Sequence, residues 1–240
     1  KEITTNSTGA MGAENADEYG YVSGVTSDGV TYGQGTLGVS SGIVYYNKNN
    51  AGYVSWNWKA GGAGVANTDG NMDSTVSANT TAGFSICQYE GQSNGSTTGN
   101  FGHGLSAAPE LVIIKNLTQY NWIVYNTAVG NGAFVLNDTH SFAANNDFGG
   151  QAPSASVVYL GNSGSGNEDN VDHIAYCFHS VEGYSQFGTY SGNGNTDGTF
   201  VYTGFTPAWL LVKKTSVSGT SWYIWDNKRN TYNVMLDTLS

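Results

Sequence analysis

A chain of 240 residues is long enough for one large domain or two of ordinary size, each with a core that needs no staples. Only 11% of it is charged, against roughly a quarter in an average globular protein, and its 34 glycines accompany abundant Asn, Ser, Thr and Tyr. A net charge of −10, from 8 Lys and Arg against 18 Asp and Glu, excludes the basic stripe that nucleic acid or an anionic membrane needs, and no continuous apolar run is long enough to cross a bilayer, so neither nucleic-acid binding nor membrane insertion is expected.

In chain order, residues 1–59 are expected to hold the end of an upstream β repeat, closing on the alternating string Tyr53-Val-Ser-Trp-Asn-Trp58. Residues 60–82, rich in Gly, Asn, Ser and Thr, read as a surface loop or linker. Residues 83–182 read as one complete β-sandwich repeat. It opens with a strand in which Phe84, Ile86 and Gln88 alternate with Ser85, Cys87 and Tyr89. It continues with Leu111-Val-Ile-Ile114, an apolar run that fits a central strand buried on both faces. An alternating Trp122-Ile-Val-Tyr-Asn126 follows, and His173-Ile-Ala-Tyr-Cys-Phe178 closes the unit. Residues 183–240 are expected to start a further repeat, with Leu210-Leu-Val212 again read as a central strand. No segment carries a hydrophobic period of about 3.6 residues, the helical signature.

Self-similarity organises these elements. Pro109-Glu-Leu-Val-Ile-Ile-Lys115 is matched by Pro207-Ala-Trp-Leu-Leu-Val-Lys213, an offset of 98 (207 − 109). Trp122 is matched by Trp222 at an offset of 100 (222 − 122), and Tyr89 by Tyr190 at 101 (190 − 89). Pro109, Trp122, Pro207 and Trp222 are therefore the landmarks of the repeat, and their recurrence reads as packing. The string at 53–58 also resembles the one at 173–178. The expected fold class is all-β: tandem antiparallel β-sandwich, jelly-roll-like repeats, whose units can be circularly permuted relative to the physical domains. Cys87 and Cys177 face Gly188 and Asn57 in the matching places, so two buried free thiols are expected rather than a recurring disulfide.

The strings Tyr53-Val-Ser-Trp-Asn-Trp-Lys-Ala-Gly-Gly62, Pro109-Glu-Leu-Val-Ile-Ile-Lys115, Tyr176-Cys-Phe-His-Ser-Val-Glu-Gly-Tyr-Ser185 and Gly204-Phe-Thr-Pro-Ala-Trp209 resemble a repeat domain of unknown function found in structural and tail-fibre-like proteins of marine, cyanophage-like bacteriophages. That domain often stands near concanavalin or laminin-G-type jelly rolls. The resemblance covers about residues 53–230 and carries over no catalytic or ligand residue. It implies a virion protein, extracellular on the particle. Its expected role is that of a tail-fibre or receptor-binding segment with host-surface glycan adhesion. A capsid decoration or head-fibre assembly protein is the first alternative, and a binding module of a secreted polysaccharide-active protein the second. The expected partners are a host cell-surface glycan or other virion proteins, within a homo-oligomer for which a trimer is the favoured form.

Three kinds of side chain are candidates for contacting a ligand. Planar aromatics flanked by Asn, Asp and Gly suit the apolar faces of pyranose rings. Trp209, which has no aromatic counterpart in the other copy, is the first choice, with Trp56 and Trp58 beside it. The loop Asn67-Thr-Asp-Gly-Asn-Met-Asp73 places Asp69, Asn71 and Asp73 at alternate positions, an oxygen-rich spacing for which Ca²⁺ is the candidate ion, though without the full spacing of a calcium loop. His103, His140, His173 and His179 form no metal-binding spacing. No enzyme is expected: the sequence is read as holding no G-x-S-x-G nucleophile elbow and no phosphate loop, its Gly-rich stretches open no helix, and no paired-carboxylate strand of the concanavalin-like glycosidases is read in it.

Overall fold

The computed structural model describes residues 3–11, 19–36, 46–95 and 98–228. The chain divides into two compact units, one of residues 1–4 and 9–57 and one of residues 5–8 and 58–240. In the first, β1 (Tyr21–Val25) and β2 (Val30–Gly33) form an antiparallel hairpin with a bulge between Val22 and Gly24. Its turn is closed by the Thr26 N–H on the Gly29 carbonyl, 2.8 Å, and by the Thr26 hydroxyl on Asp28, 2.9 Å.

The second unit is built on a seven-stranded antiparallel sheet in the order β3-β4-β5-β11-β7-β8-β9. Its strands are β3 (Val65–Asn67), β4 (Ser74–Asn79), β5 (Phe84–Glu90), β7 (Leu111–Asn116), β8 (Ile123–Asn126), β9 (Phe134–Val135) and β11 (Asp172–Phe178). A two-stranded sheet, β6 (Gly99–Gly102) with β10 (Val157–Leu160), belongs to the same unit. Alternation decides the faces. Cys87 and Tyr89, Val112 and Ile114, Ile123 and Tyr125, Ala175 and Cys177 all join one buried cluster with Phe101, Phe148, Val158 and Leu160. Tyr89 is stacked between Phe101, at 4.2 Å, and His173, at 5.2 Å, and its hydroxyl donates to the Gly166 carbonyl at 2.7 Å. A short helix, α1 (Gly164–Asn167), supplies that carbonyl. Both cysteines are free and buried.

Two expectations need correction, and one buried side chain is a finding of its own. The stretch 60–82 is no linker: it carries β3 and β4, and β4 pairs along its whole length with β5. Its inner residues include Ser74, whose hydroxyl donates to the Gly102 carbonyl at 2.8 Å, so polar side chains do a job here that the expected pattern gives to apolar ones. The complete domain therefore begins before residue 83. Residues 209–212, expected as a central strand, form β12 (Trp209–Val212), which pairs only with β13 (Tyr223–Asp226) among the described residues and leaves Leu210 exposed. Finally, Lys115 is fully buried and its ammonium is not capped by Glu110. It donates to the carbonyls of Asn116, Gln119 and Tyr120 at 2.6, 2.9 and 3.0 Å, and to Thr8 at 3.4 Å. Glu110 instead accepts the Ser180 N–H.

Two hairpins share one register. β7 and β8 pair Leu111 with Asn126, Val112 with Tyr125, Ile113 with Val124 and Ile114 with Ile123. β12 and β13 pair Trp209 with Asp226, Leu210 with Trp225, Leu211 with Ile224 and Val212 with Tyr223. These are the same partners shifted by 98 on one strand and 100 on the other. The preceding turns agree as well. Gly104 and Gly204 both have positive φ, 66° and 78°, a conformation side chains with a Cβ rarely adopt. Trp122 and Trp222 are both buried.

Candidate functional site

Aromatic side chains from four parts of the second unit meet at one end of the large sheet. The segment after Trp58 is strapped along β4: the Asn79 amide donates to the Lys59 carbonyl at 2.9 Å, and the Ser77 hydroxyl to the Gly62 carbonyl at 2.7 Å. Gly61 passes so close to β4 that a Cβ there would lie 2.1 Å from the Ala78 carbonyl oxygen. The strap delivers Trp58 edge-on to Phe178, the last residue of β11, at 6.2 Å. Trp58 also stands nearly perpendicular to Trp209, the first residue of β12, with ring centroids 5.6 Å apart. Phe178 is stacked on Phe84 of β5 at 4.8 Å and tilted against Phe187 at 5.9 Å. The result is an aromatic ledge over paired strand ends.

Within the ledge the two indoles differ. Trp58 is 44% exposed and offers a face and an edge to solvent. Trp209 is half-buried, and its Nε1–H is enclosed without a hydrogen-bond acceptor. Such a donor costs free energy until an acceptor arrives.

The structure thus brings together Trp58 and Trp209, which lie 151 residues apart (209 − 58). Trp56 belongs to the first unit and is half-buried. The landmarks Pro109, Trp122 and Trp222 are buried, and Pro207 is half-buried. Trp222 donates its Nε1–H to the Val135 carbonyl at 2.9 Å, a packing contact. Phe178 and Phe187 complete the ledge without having been singled out. The strict alternation of 173–178 was the signal for Phe178, whereas nothing local marks Phe187.

The other candidates are drawn into structural work. Asp69 belongs to an Asx turn in which its N–H donates to Asn67 Oδ1 at 2.9 Å and its carboxylate accepts from the Asn67 amide at 3.2 Å. Asn71 and Asn100 exchange backbone-to-side-chain hydrogen bonds of 3.0 and 2.7 Å. Asp73 lines a shallow hollow of about 300 Å³ with Glu90 and Asp172. Among the described residues no group of three or more His, Cys, Asp or Glu side chains is arranged to hold a metal ion. The letters of a hydrolase elbow do occur, at Gly91-Gln-Ser-Asn-Gly95 and at Gly38-Val-Ser-Ser-Gly42. Ser93 accepts the Gly95 N–H on its hydroxyl at 3.2 Å and sits in an isolated bridge, not at a strand-to-helix corner; residues 38–42 lie outside the described residues.

Two buried histidines shape the interior electrostatics. Burial pushes both His103 and His173 below the usual imidazole range. His103 Nδ1 accepts the Leu105 N–H at 3.1 Å, which assigns the ring proton to Nε2, facing the Ser154 carbonyl at 3.2 Å. Burial also pushes the Lys115 ammonium down to about 8, while the surrounding carbonyls favour its charged form.

The fold and the ledge together define an all-β protein with a large antiparallel sheet and a cluster of aromatic side chains at one end of it. The chain belongs to the family described as a domain of unknown function (DUF7483), whose model matches residues 1–240. Comparison with curated proteins and with solved structures finds no match.

Proposed function

We propose that this chain is a non-catalytic virion protein, a tail-fibre or receptor-binding segment of the phage type that its sequence strings resemble, and that it binds host-surface glycans on the Trp58–Trp209 ledge. The observation that carries the binding reading is the perpendicular indole pair, whose Trp58 ring is exposed to solvent. One such site binds weakly; repeated along an oligomeric appendage, trimeric in the favoured form, it gives firm attachment through avidity.

The test is a panel of bacterial surface polysaccharides screened for binding, followed by two variants. Trp58→Ala removes the exposed ring and is expected to weaken binding at least tenfold with the thermal midpoint little changed, since the ring is not part of the core. Trp209→Ala removes the ring that stands perpendicular to Trp58, with a smaller expected loss of roughly threefold to tenfold, the value of one aromatic pair. Binding that survives both variants, or no glycan bound by the native chain, would refute the reading.

A further inference from the structure

In an Asn-Gly dipeptide a side-chain amide stands beside an unhindered backbone nitrogen, because glycine brings no Cβ to shield its own N–H. The dipeptide occurs three times, at Asn94-Gly95, Asn131-Gly132 and Asn193-Gly194, and the fold treats the three differently.

In the first pair the nitrogen is engaged. The Gly95 N–H donates to Ser93 Oγ at 3.2 Å, and the Gly95 carbonyl accepts from the Asn162 amide at 2.8 Å. In the second pair the nitrogen is walled in. Gly132 is buried against the Ala143 carbonyl and the Phe142 ring, with no room even for a Cβ. Its neighbour Asn131 is held through Nδ2 by the Gly150 carbonyl at 2.6 Å.

The third pair is arranged for attack. Asn193 and Gly194 are exposed, and the Gly194 N–H has no acceptor among the described residues. The cause is local: Ser93 stands two places before Gly95, whereas the residue two places before Gly194 is Gly192, which has no side chain to accept. Gly194 has a φ of 72° and open space around it. The Asn193 amide, in contrast, is fixed at both ends. Its Oδ1 accepts the Asn195 N–H at 3.0 Å, and its Nδ2 donates to the Asp197 carbonyl at 2.9 Å. The loop is closed around it by the Thr199 hydroxyl on the Ser191 carbonyl at 2.7 Å.

We propose that Asn193 is a self-modification site, converted to aspartate and isoaspartate by attack of the Gly194 nitrogen on its side chain. The Gly194 N–H gives its proton to hydroxide, and the nitrogen bonds to Asn193 Cγ. Negative charge then gathers on Oδ1, where the Asn195 N–H already points and stabilises it. The Cγ–Nδ2 bond breaks, Nδ2 takes a proton from water and leaves as ammonia, and a five-membered imide remains. Water opens the imide at either carbonyl. In sum one water is consumed and one ammonia released, with no oxidant or cofactor, and the loop gains one negative charge. This chemistry is independent of glycan binding.

Peptide mass spectrometry of the full chain, aged in mildly alkaline water enriched in oxygen-18, tests it. Each conversion takes up one heavy oxygen, which separates events during ageing from earlier ones. In the folded chain Asn193 is expected to convert roughly tenfold faster than Asn94 or Asn131, and in urea the three rates are expected to converge. Gly192→Ser supplies the hydroxyl that Ser93 supplies to Gly95, at a glycine with open space around it. It is expected to slow Asn193 by roughly threefold and to leave Asn94 and Asn131 unchanged; near-ultraviolet circular dichroism of the buried aromatics verifies that the variant is folded. A rate at Asn193 no greater than at the other two sites of the folded chain would overturn the proposal, as would a folded Gly192→Ser chain that ages at Asn193 as fast as the native one.

Discussion

Lys115 shows how much one side chain organises. Its ammonium gathers three carbonyls of the β7–β8 connection and one from the segment 5–8, acting as a donor that holds the turn together. Replacing it with Met keeps the stem and strips those carbonyls of their donor, with an expected loss of about 3 kcal/mol in urea unfolding. His103 carries the pH response. Its folded-state pKa lies below that of the unfolded chain, about 6.5, so the unfolded chain takes up the proton first. The stability it contributes is fully present above that value and falls as the medium is acidified through it. Protonation also sets an N–H of the ring against the Leu105 N–H. The urea midpoint is therefore expected to be lower at pH 5.5 than at pH 7.5, and a His103→Gln variant to show a flatter profile; an equal slope in the variant would place the effect elsewhere.

At the scale of elements, the strands whose pattern is apolar were legible and the polar ones were not. β5, β7, β8 and β11 follow from alternation or from a continuous apolar run, and the near-constant offset marked the segments of β12 and β13 as matches to β7 and β8, while their shared register came from the structure. β3 and β4 were hidden because Ser74, Thr75 and Ser77 of β4 occupy positions where the pattern looks for Val or Ile, and a strand held by backbone pairing on both sides tolerates that composition. The opposite error arose at β12, where an apolar run reads as doubly buried although one face is open. The candidate site was half legible. Trp58 and Trp209 were named from residue type, but their meeting depends on the strap along β4, which depends in turn on Gly61. Gly61→Ala is expected to push the strap off the strand, lowering the unfolding midpoint by an amount corresponding to about 1–2 kcal/mol and raising the access of acrylamide to Trp58 fluorescence. Unchanged quenching would show that the strap does not position the ring.

For the molecule as a whole, few charges are spread over a surface of Asn, Ser, Thr and Tyr, yet the net charge of −10 sets copies of the chain to repel one another at low ionic strength. The position of β11 has a consequence for synthesis. It is the middle of the large sheet, yet it is the last of that sheet's strands to leave the ribosome, long after β5 and β7 between which it must lie. Until residue 178 has emerged, the nascent chain holds two open sheet edges facing a vacancy, so the domain cannot be assembled strand by strand in the order of translation. Pairings so distant along the chain are slow to form, and crowded polysomes would bring one nascent chain's vacancy within reach of its neighbour's finished strand.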